Sequence, residues 1–450
     1  MIPDITGLFK PKKVQLISLG CSKNRVDSEK LLAVLNGNGI EIVPEESDFR
    51  DSRPDVVIIN TCGFIGDAKQ ESINEILKAG EAKKAGLVGK IIVCGCLSER
   101  YNGELEELLP EADAFFGSFQ WDEIVAWLGL GRDTKTPMLD RYLTTPKHYA
   151  YLKISDGCNR KCSYCAIPLI KGAHKSVPEE ELVSEAEMLA HKGVRELILI
   201  AQDTTYYGMD LYKKRTLGRL INKLSLIEGI EWIRIHYSYP LAFPEDVIRI
   251  MRTNPKVCKY LDIPLQHSST KVLKIMRRGI DSERTQELID RLRAEVPGVA
   301  LRTTLIVGHP GERDADFREL LNFVKRNKFE MLGAFPYSCE ENTYDALHYK
   351  DDVPERVKLN RYDKLMTLQA KISLENNQKR VGTVEKVIID DVGDGVFYGR
   401  SQRESPEVDG RIIIKYDTSE RDFDPVGFIG KFAAVKITGA SEYDLMGELA

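Results

Sequence analysis

The chain has 450 residues, of which 42% are hydrophobic and 30% charged, with a net charge of −5. This composition is typical of a soluble globular protein of two or three domains. The N-terminal stretch MIPDITGLFKPKK contains no apolar run for a signal peptide, and no segment is apolar enough to cross a bilayer, so we expect a cytoplasmic protein with no membrane contact. Nine cysteines are too few for a disulfide scaffold, and grouped cysteines in a reducing compartment indicate metal binding or catalysis.

The charge is unevenly distributed along the chain. Residues 1–145 and residues 382–450 each carry a net charge of −6, whereas residues 146–381 carry +7. Two acidic ends argue against the docking of a nucleic acid on the terminal segments, and they favour a basic partner.

The first segment, residues 1–145, alternates apolar runs with amphipathic helical patterns. The runs VQLISLG, VVIIN and IIVCG predict buried strands at 14–20, 56–60 and 91–95, and patterns such as SEKLLAVLN predict the helices between them. Continuous apolar strands that alternate with helices are typical of a parallel sheet covered on both faces. We therefore predict an N-terminal doubly wound α/β domain.

The second segment, residues 146–380, repeats the strand and helix pattern about six times. The predicted strands are 149–154, 196–201, 232–237, 259–263, 301–307 and 331–337. Eight such units would close a barrel, so six predict a central partial (β/α)6 barrel.

The third segment, residues 381–450, has a different character. Five short β-type runs, from VEKVIID to YDLMGEL, are separated by Gly, Asp and Pro. Short strands at this spacing predict a small antiparallel β-barrel of the OB-like type.

Three cysteines follow the first predicted strand of the partial barrel. The sequence SDGCNRKCSYCAIP contains Cys158, Cys162 and Cys165. The carboxyl ends of barrel strands carry the chemistry of such folds, and three thiolates at this spacing can hold a cubane iron–sulfur cluster with one iron left open. The alternative is a structural zinc site, for which His174 is the nearby candidate for a fourth ligand.

This cysteine loop resembles that of the radical S-adenosylmethionine superfamily, in which an aromatic residue, here Tyr164, precedes the last cysteine. The resemblance implies that the open iron binds S-adenosylmethionine. One electron then cleaves that cofactor to give a 5′-deoxyadenosyl radical, which removes a hydrogen atom from an unactivated carbon.

Three further cysteines lie in the first segment, each beside a glycine at the end of an apolar run. They are Cys21, Cys62 and Cys96, 41 and 34 residues apart. The carboxyl ends of parallel strands open on one crevice, so these thiols are predicted to meet there, although isolated cysteines are usually core residues. We interpret the remaining cysteines as structural or incidental: Cys94, Cys258 and Cys339.

Two three-cysteine sets and a small C-terminal barrel together resemble the methylthiotransferase family. The motifs LGCSKNRVDSE, NTCGFI, GCLSER, LDIPLQHSS and LRTTLIVGHPGE carry the resemblance over essentially the whole chain, and the last segment resembles the TRAM domain. The family implies two [4Fe-4S] clusters, with the first-segment cysteines holding the auxiliary one. It also implies S-adenosylmethionine as the source of both radical and methyl group, and the conversion of a C–H bond into C–S–CH3.

The family has branches that modify either an adenosine of transfer RNA or an aspartate of the small-subunit ribosomal protein uS12. A barrel that binds RNA should be basic, whereas residues 382–450 are acidic and suit a basic ribosomal protein. The segments IAQDTTYYG, RIHYSYP and SPEVDG also resemble the ribosomal-protein branch, so uS12 or the small ribosomal subunit is the expected partner and transfer RNA the alternative. Val177 stands where the family often has an arginine, which puts one contact in doubt.

Polar residues after the predicted barrel strands are further candidates for cofactor or substrate contacts. With Tyr164, they are Gln202, Asp203, Arg234, Ser238, Gln266 and His267; each could equally be a loop or capping residue. His309 is interpreted as a turn residue. We expect a monomer that receives electrons from a flavodoxin or ferredoxin, and no catalytic side chain beyond the cluster ligands. A two-cluster electron carrier and a zinc-binding adaptor are the rival classes.

Overall fold

The computed structural model describes residues 10–101, 103–130, 140–416 and 424–450. The prediction that no signal peptide is present concerns a stretch of which residues 1–9 lie outside these ranges. Contacts divide the chain into two compact units. Unit 1 comprises Met1–Thr144, Asp156–Asn159 and Ala166–Lys175, and unit 2 comprises Thr145–Ser155, Arg160–Cys165 and Ser176–Ala450.

Unit 1 is built on a five-stranded sheet with the order β2-β1-β3-β4-β5, in which every pair is parallel. Its strands are β1 Lys13–Ser18, β2 Glu41–Val43, β3 Val56–Thr61, β4 Lys90–Gly95 and β5 Ala114–Phe115. Its main helices are α1 Ser22–Gly37, α2 Phe49–Ser52, α3 Gly66–Lys84, α4 Cys96–Arg100, α5 Leu105–Leu108 and α6 Trp121–Trp127.

Successive residues of the central strands enter two different hydrophobic clusters. Ile58 packs in the cluster that contains the apolar residues of α1 and α6, whereas its neighbours Val57 and Ile59 pack in the cluster that contains Ile76 of α3. Alternate side chains of a strand point to opposite faces, so both faces of the sheet are covered by helices. The doubly wound α/β fold is therefore confirmed.

The elements around the cysteine loop are short: β6 Tyr149–Lys153, β7 Ser155–Asp156, α7 Ile167–Ile170 and β8 Lys175–Ser176. The rest of the partial barrel consists of α8 Glu179–His191, β9 Glu196–Ile200, α9 Met209–Tyr212, α10 Leu217–Ser225, β10 Trp232–Ile235, α11 Glu245–Thr253, β11 Val257–Asp262, α12 Thr270–Ile275, α13 Ser282–Glu295, β12 Ala300–Val307, α14 Asp314–Asn327, β13 Met331–Pro336, α15 Tyr344–His348 and α16 Glu355–Gln378. Six of these strands form one parallel sheet in the order β13-β12-β11-β10-β9-β6. Strands that lie side by side in chain order confirm the partial (β/α)6 barrel.

The C-terminal part of unit 2 is a closed five-stranded barrel with the order β14-β15-β16-β18-β17. Its strands are β14 Val384–Gly393, β15 Val396–Arg400, β16 Ile412–Lys415, β17 Phe432–Ala440 and β18 Leu445–Leu449. The small barrel is confirmed, with one difference of detail: β16 and β18 pair in parallel, and the other pairs are antiparallel. A parallel pair needs a long connection between its strands, and run spacing alone does not reveal it.

A segment of this small barrel, residues 400–409, packs on one face of the six-stranded sheet; we call it the plug segment. Glu407 accepts hydrogen bonds from the hydroxyl groups of Tyr149 and Tyr151, at 3.2 and 2.9 Å. Tyr149 is the first residue of its strand, so the plug segment lies at the amino ends of the strands. Asp409 accepts a 2.9 Å hydrogen bond from Tyr260, which is fully buried.

Candidate active site

The three predicted cysteine ligands of unit 1 follow the carboxyl ends of neighbouring strands of its sheet. Cys21 precedes α1 just after β1, Cys62 follows β3, and Cys96 is the first residue of α4, directly after β4. Because β1, β3 and β4 are adjacent in the sheet, these three strand ends lie at one edge.

Close contacts bring the three thiols together. Gly20 has φ +91°, and a Cβ added there would lie 3.0 Å from the sulfur of Cys62, so the Cys21 loop requires glycine at this point. Asn24 lies between the other two cysteines: its amide donates to the carbonyl of Thr61 at 3.0 Å, and its side-chain oxygen accepts from the Cys96 thiol at 3.6 Å. The predicted convergence of these strand ends is thus seen.

Burial keeps the thiols of Cys62 and Cys96 protonated in the absence of a metal. Burial, together with the neighbouring Cys21 and Cys96, raises the pKa of Cys62 to about 12. Burial also raises the pKa of Cys96, although the ammonium group of Lys171 opposes the change. A metal must displace protons from such thiols to bind, which links cluster binding to proton release.

The segment that follows the second cysteine set also belongs to unit 1. Cys96 packs against Ala166 and Ile170, and Ala166 comes directly after Cys165 in the sequence. Lys171 lies over the ring of Phe119, with Nζ 5.0 Å from the ring centroid.

The start of the second cysteine set is held by backbone contacts within unit 1. The N–H of Cys158 donates to the carbonyl of Gly172 at 3.1 Å. Gly157 has φ +69°, and a Cβ there would fall against the carbonyl oxygen of Ala173. The residue before Cys158 must therefore be glycine, both for its backbone angle and for the close approach of the returning chain.

The other two cysteines of this set lie in unit 2, where the Cys165 N–H donates to the carbonyl of Cys162 at 3.2 Å. The sulfur of Cys162 accepts from Nη1 of Arg278 at 3.3 Å and lies 3.7 Å from the hydroxyl of Tyr239. Neither of these two neighbours was predicted. Arg278 follows another arginine in the sequence MRRG, and no sequence pattern separates the two.

Tyr164, predicted to contact the cofactor, is buried beside the same arginine. Its hydroxyl accepts from Arg278 Nη1 at 3.3 Å, and its ring meets that of His309 edge-on, with centroids 6.4 Å apart. Burial raises its pKa well above the usual range, so the phenol stays protonated. His309, interpreted as a turn residue, is also bonded to the buried carboxylate of Asp345 at 2.7 Å.

Asp203 lies three residues beyond β9 and contacts the cysteine loop. Its carboxylate accepts from Arg160 Nε at 2.8 Å and from the N–H of Thr205 at 3.0 Å. The guanidinium of Arg160 lies 4.1 Å from the ring centroid of Tyr239 and 5.3 Å from that of Tyr206. Asp203 therefore orders the loop between Cys158 and Cys162, and its predicted contact with the cofactor stays a prediction.

The other candidates after the strands are placed as follows. Gln202 follows β9, and Ser238 follows β10. The N–H of Ser238 donates a 2.9 Å hydrogen bond to the backbone carbonyl of Asp262, the last residue of β11. Gln266 has φ +73° and forms an isolated bridge with Leu305. These residues lie at the carboxyl ends of the strands as expected, and their ligands stay predictions.

Arg234 requires a correction. It lies within β10 rather than after it and is fully buried. Nε donates to Glu196 at 2.7 Å, and the Nη atoms donate to the carbonyls of Gln402 and Ser401 at 2.8 and 3.4 Å. Arg234 thus binds the plug segment, because the charge of Glu196, at the first position of β9, holds it there.

Four further residues were singled out in the sequence: Val177 and the three cysteines that lie outside the two sets. The N–H of Val177 donates to Ile154, and its carbonyl accepts from Tyr207 at 2.8 Å, so its backbone is fixed while its side chain lacks the charge of an arginine. Cys94 and Cys258 are fully buried core residues, and Cys339 is exposed.

The donor chemistry of the two cysteine sets fits an iron–sulfur cluster. Among the described residues, no group of three or more histidine, cysteine, aspartate or glutamate side chains is arranged to hold one metal ion, including the zinc site that His174 would complete. In a cubane each thiolate binds a different iron, so its ligands stand farther apart. All six cysteines are free of disulfides, and the glycine-bordered loops that carry them suit this donor set.

Three known sequence families match successive parts of the chain. Residues 13–117 match the uncharacterized protein family UPF0004, residues 152–324 the radical SAM superfamily and residues 381–450 the TRAM domain. No helix of the described residues has the length and apolar character needed to span a membrane.

Similar proteins cover nearly the whole chain. The ribosomal protein uS12 methylthiotransferase RimO of Parabacteroides distasonis is 49% identical over 98% of this chain and 100% of its own length. That of Cytophaga hutchinsonii is 50% identical over 97% of this chain and 98% of its own length. Among solved structures, the radical S-adenosylmethionine methyltransferase TsrM of Kitasatospora setae has a TM-score of 0.52 at 14% identity, over 85% of this chain and 79% of that one. At that identity, the likeness concerns the fold alone.

A partial barrel with three cysteines after its first strand, matched by the superfamily profile, defines a radical S-adenosylmethionine enzyme that uses a [4Fe-4S] cluster. The relatives of nearly the same length, which are named methylthiotransferases, narrow this class to the methylthiotransferases. With relatives 48–50% identical over 97–98% of its length, the chain belongs to the RimO family.

Proposed function

We propose that this enzyme replaces a hydrogen on the β-carbon of an aspartate in ribosomal protein uS12 with a methylthio group. The observation that carries the proposal is the meeting of Cys21, Cys62 and Cys96 in a chain that also has the radical motif. One such set is enough to hold the cluster for radical chemistry, so the second set is available to hold a further cluster that supplies sulfur. The RimO relatives carry the name of this substrate.

In this proposal Cys158, Cys162 and Cys165 hold the [4Fe-4S] cluster that binds S-adenosylmethionine, and Cys21, Cys62 and Cys96 hold a second cluster. When bound, these groups supply a carbon-centred radical, sulfur and a methyl group. Within unit 1, Cys96 packs on Ala166, the residue that follows Cys165 in the sequence.

The chain's own residues order the site. The Arg160–Asp203 pair fixes the loop between the first two radical-domain cysteines. The phenol of Tyr239 lies 3.7 Å from the sulfur of Cys162, and that of Tyr164 shares the guanidinium of Arg278 with this sulfur; burial raises the pKa values of both phenols, so they stay neutral.

The remaining partners follow from the proposed substrate. The acidic C-terminal barrel suits a basic ribosomal protein, and the similar proteins do not favour the transfer-RNA alternative. We further propose a cytoplasmic monomer reduced by a flavodoxin or ferredoxin, with domains at 1–145, 146–380 and 381–450.

A competition experiment tests the proposal. The chain is reconstituted without oxygen and given S-adenosylmethionine, reductant and sulfide, together with a uS12 peptide and a transfer-RNA anticodon stem-loop. Mass spectrometry should show a methylthio gain on the peptide aspartate alone. A gain on the RNA alone would favour the transfer-RNA branch. Cleavage of S-adenosylmethionine with neither substrate changed would leave the radical site standing and refute the substrate.

A further inference from the structure

A buried arginine faces the middle cysteine of the radical motif. Arg278 follows α12 and is 4% exposed. Its Nη1 donates to the sulfur of Cys162 and to the hydroxyl of Tyr164, both at 3.3 Å, and its Nη2 donates to the carbonyl of Pro264 at 2.6 Å. The ring of Tyr239 covers the guanidinium, with Cζ 4.1 Å from the centroid.

The partners of this cation are unusual for a buried arginine. No carboxylate of the described residues lies within ion-pair distance of Arg278, and its Nε has no hydrogen-bond partner there. A buried charge without a counter-charge is costly, so its retention calls for an anion at this place. The group that faces Nη1 is a thiol, which becomes an anion when it binds iron.

We propose that Arg278 is a positioning residue that orients the Cys162 thiolate and raises the reduction potential of the cluster bound there. The inference rests on Cys162 being a cluster ligand. The reduced cluster carries one more negative charge than the oxidised one, so a fixed cation bonded to a ligand sulfur stabilises the reduced form more. Hydrogen bonds to ligand sulfurs act in the same direction.

The neighbouring arginine provides a matched control. Arg277 carries the same charge, is exposed, and lies over the ring of Tyr344, with Cζ 4.2 Å from the centroid. The charge of an exposed side chain is screened by water, so its removal should leave the cluster potential unchanged.

The experiment compares Arg278→Met, Arg278→Lys and Arg277→Met in the full-length chain after anaerobic reconstitution. Iron content is measured first, and the potential of the bound cluster is then obtained by dye-mediated titration followed by EPR. The same titrations in a chain with Cys21, Cys62 and Cys96 replaced by alanine isolate one cluster; if that chain fails to fold, the two transitions of the unmodified chain are fitted together.

We expect R278M to shift one transition to a more negative potential, R278K to fall between R278M and the wild type, and R277M to match the wild type. A wild-type potential in the cluster fraction that R278M retains would overturn the inference, whatever the iron content, as would an equal shift in R277M. Loss of all iron from both Arg278 variants would assign the residue a purely structural role. Cys162→Ala separates the two proposals: if it keeps both transitions, Cys162 is not a ligand and the proposed cluster site fails instead.

Discussion

The two ends of the barrel sheet each bury an arginine, and the contacts of these arginines differ. At the amino ends, Arg234 is paired with Glu196 and gives its remaining donors to carbonyls of the plug segment. At the carboxyl ends, Arg278 meets a sulfur, a phenol and one carbonyl. A buried arginine whose charge is matched within the chain holds the fold together, whereas one without a carboxylate faces a place where an anion is to be bound.

Removing a cysteine at the carboxyl ends should have the largest effect. In Cys162→Ala we expect loss of S-adenosylmethionine cleavage and about half of the bound iron, because an iron without its thiolate leaves the cluster open to breakdown. Cys96→Ala should keep that cleavage and lose methylthiolation. Cys339→Ala, exposed and outside both sets, is the control and should match the wild type. Equal product from C96A and wild type would remove the second set from the mechanism.

Breaking the pair at the amino ends should cost stability rather than chemistry. Arg234→Met should destabilise unit 2 by about 3 kcal/mol, since it leaves the plug-segment carbonyls without their donor and Glu196 with Arg400 alone. Pulse proteolysis in urea measures the change, and Glu196→Gln combined with R234M should recover part of it. Unchanged stability together with weaker S-adenosylmethionine binding would return Arg234 to the cofactor site.

A neutral histidine near the carboxyl ends should make stability depend on pH. Burial lowers the pKa of His267 to about 3, and its Nδ1 accepts from the N–H of Ser269 at 2.9 Å. Unfolded histidine has a pKa of about 6.5, so the unfolded chain binds a proton that the folded chain excludes. The stabilisation is therefore complete above pH 6.5 and is lost as the pH falls, by about 2 kcal/mol between pH 7 and pH 5.

Urea unfolding at the two pH values, in the wild type and His267→Asn, checks this dependence. The variant should lose less stability than the wild type on acidification, by roughly the same 2 kcal/mol. Glu312, whose pKa burial raises to about 6, is present in both chains, and its carboxylate lies 3.8 Å from Nε2 of His267. Parallel pH curves for the two chains would show that His267 has the same pKa in the folded chain as in the unfolded chain.

The smallest expected effect concerns exposed charged residues of the C-terminal barrel. Glu442→Lys, at an exposed position, should weaken uS12 binding about threefold, the scale of one exposed charge pair. Lys436→Glu on the same barrel is the matched reversal and should tighten binding. Fluorescence titration with labelled uS12 at low salt measures both. If both variants bind uS12 with the wild-type affinity, the C-terminal barrel has no role in binding uS12 and serves only to pack its plug segment against the six-stranded sheet.

Periodicity and spacing were sufficient to predict the three architectures and the convergence of the first-segment cysteines, because apolar strands and the residues at their ends follow local rules. The place of Arg234 was not predictable, because its partners Gln402 and Ser401 lie far along the chain. Arg278 was missed for the same reason, because the sulfur that it contacts belongs to Cys162, 116 residues earlier in the chain. Glu407, one of the acidic residues behind the net charge of −6, accepts hydrogen bonds from two tyrosines, which the charge count does not reveal.

The bond between Tyr149 and Glu407 spans 258 residues, which bears on how the enzyme is made. All six barrel strands leave the ribosome before the plug segment does, since translation runs from the amino end. Until residue 409 emerges, the polar residues at the amino ends of the strands have no partners from the C-terminal barrel. We therefore expect the partial barrel to reach its final structure only when synthesis is nearly complete, and iron to bind after the chain has left the ribosome. A chain cut short before the plug segment would be an unfinished barrel and not a smaller enzyme.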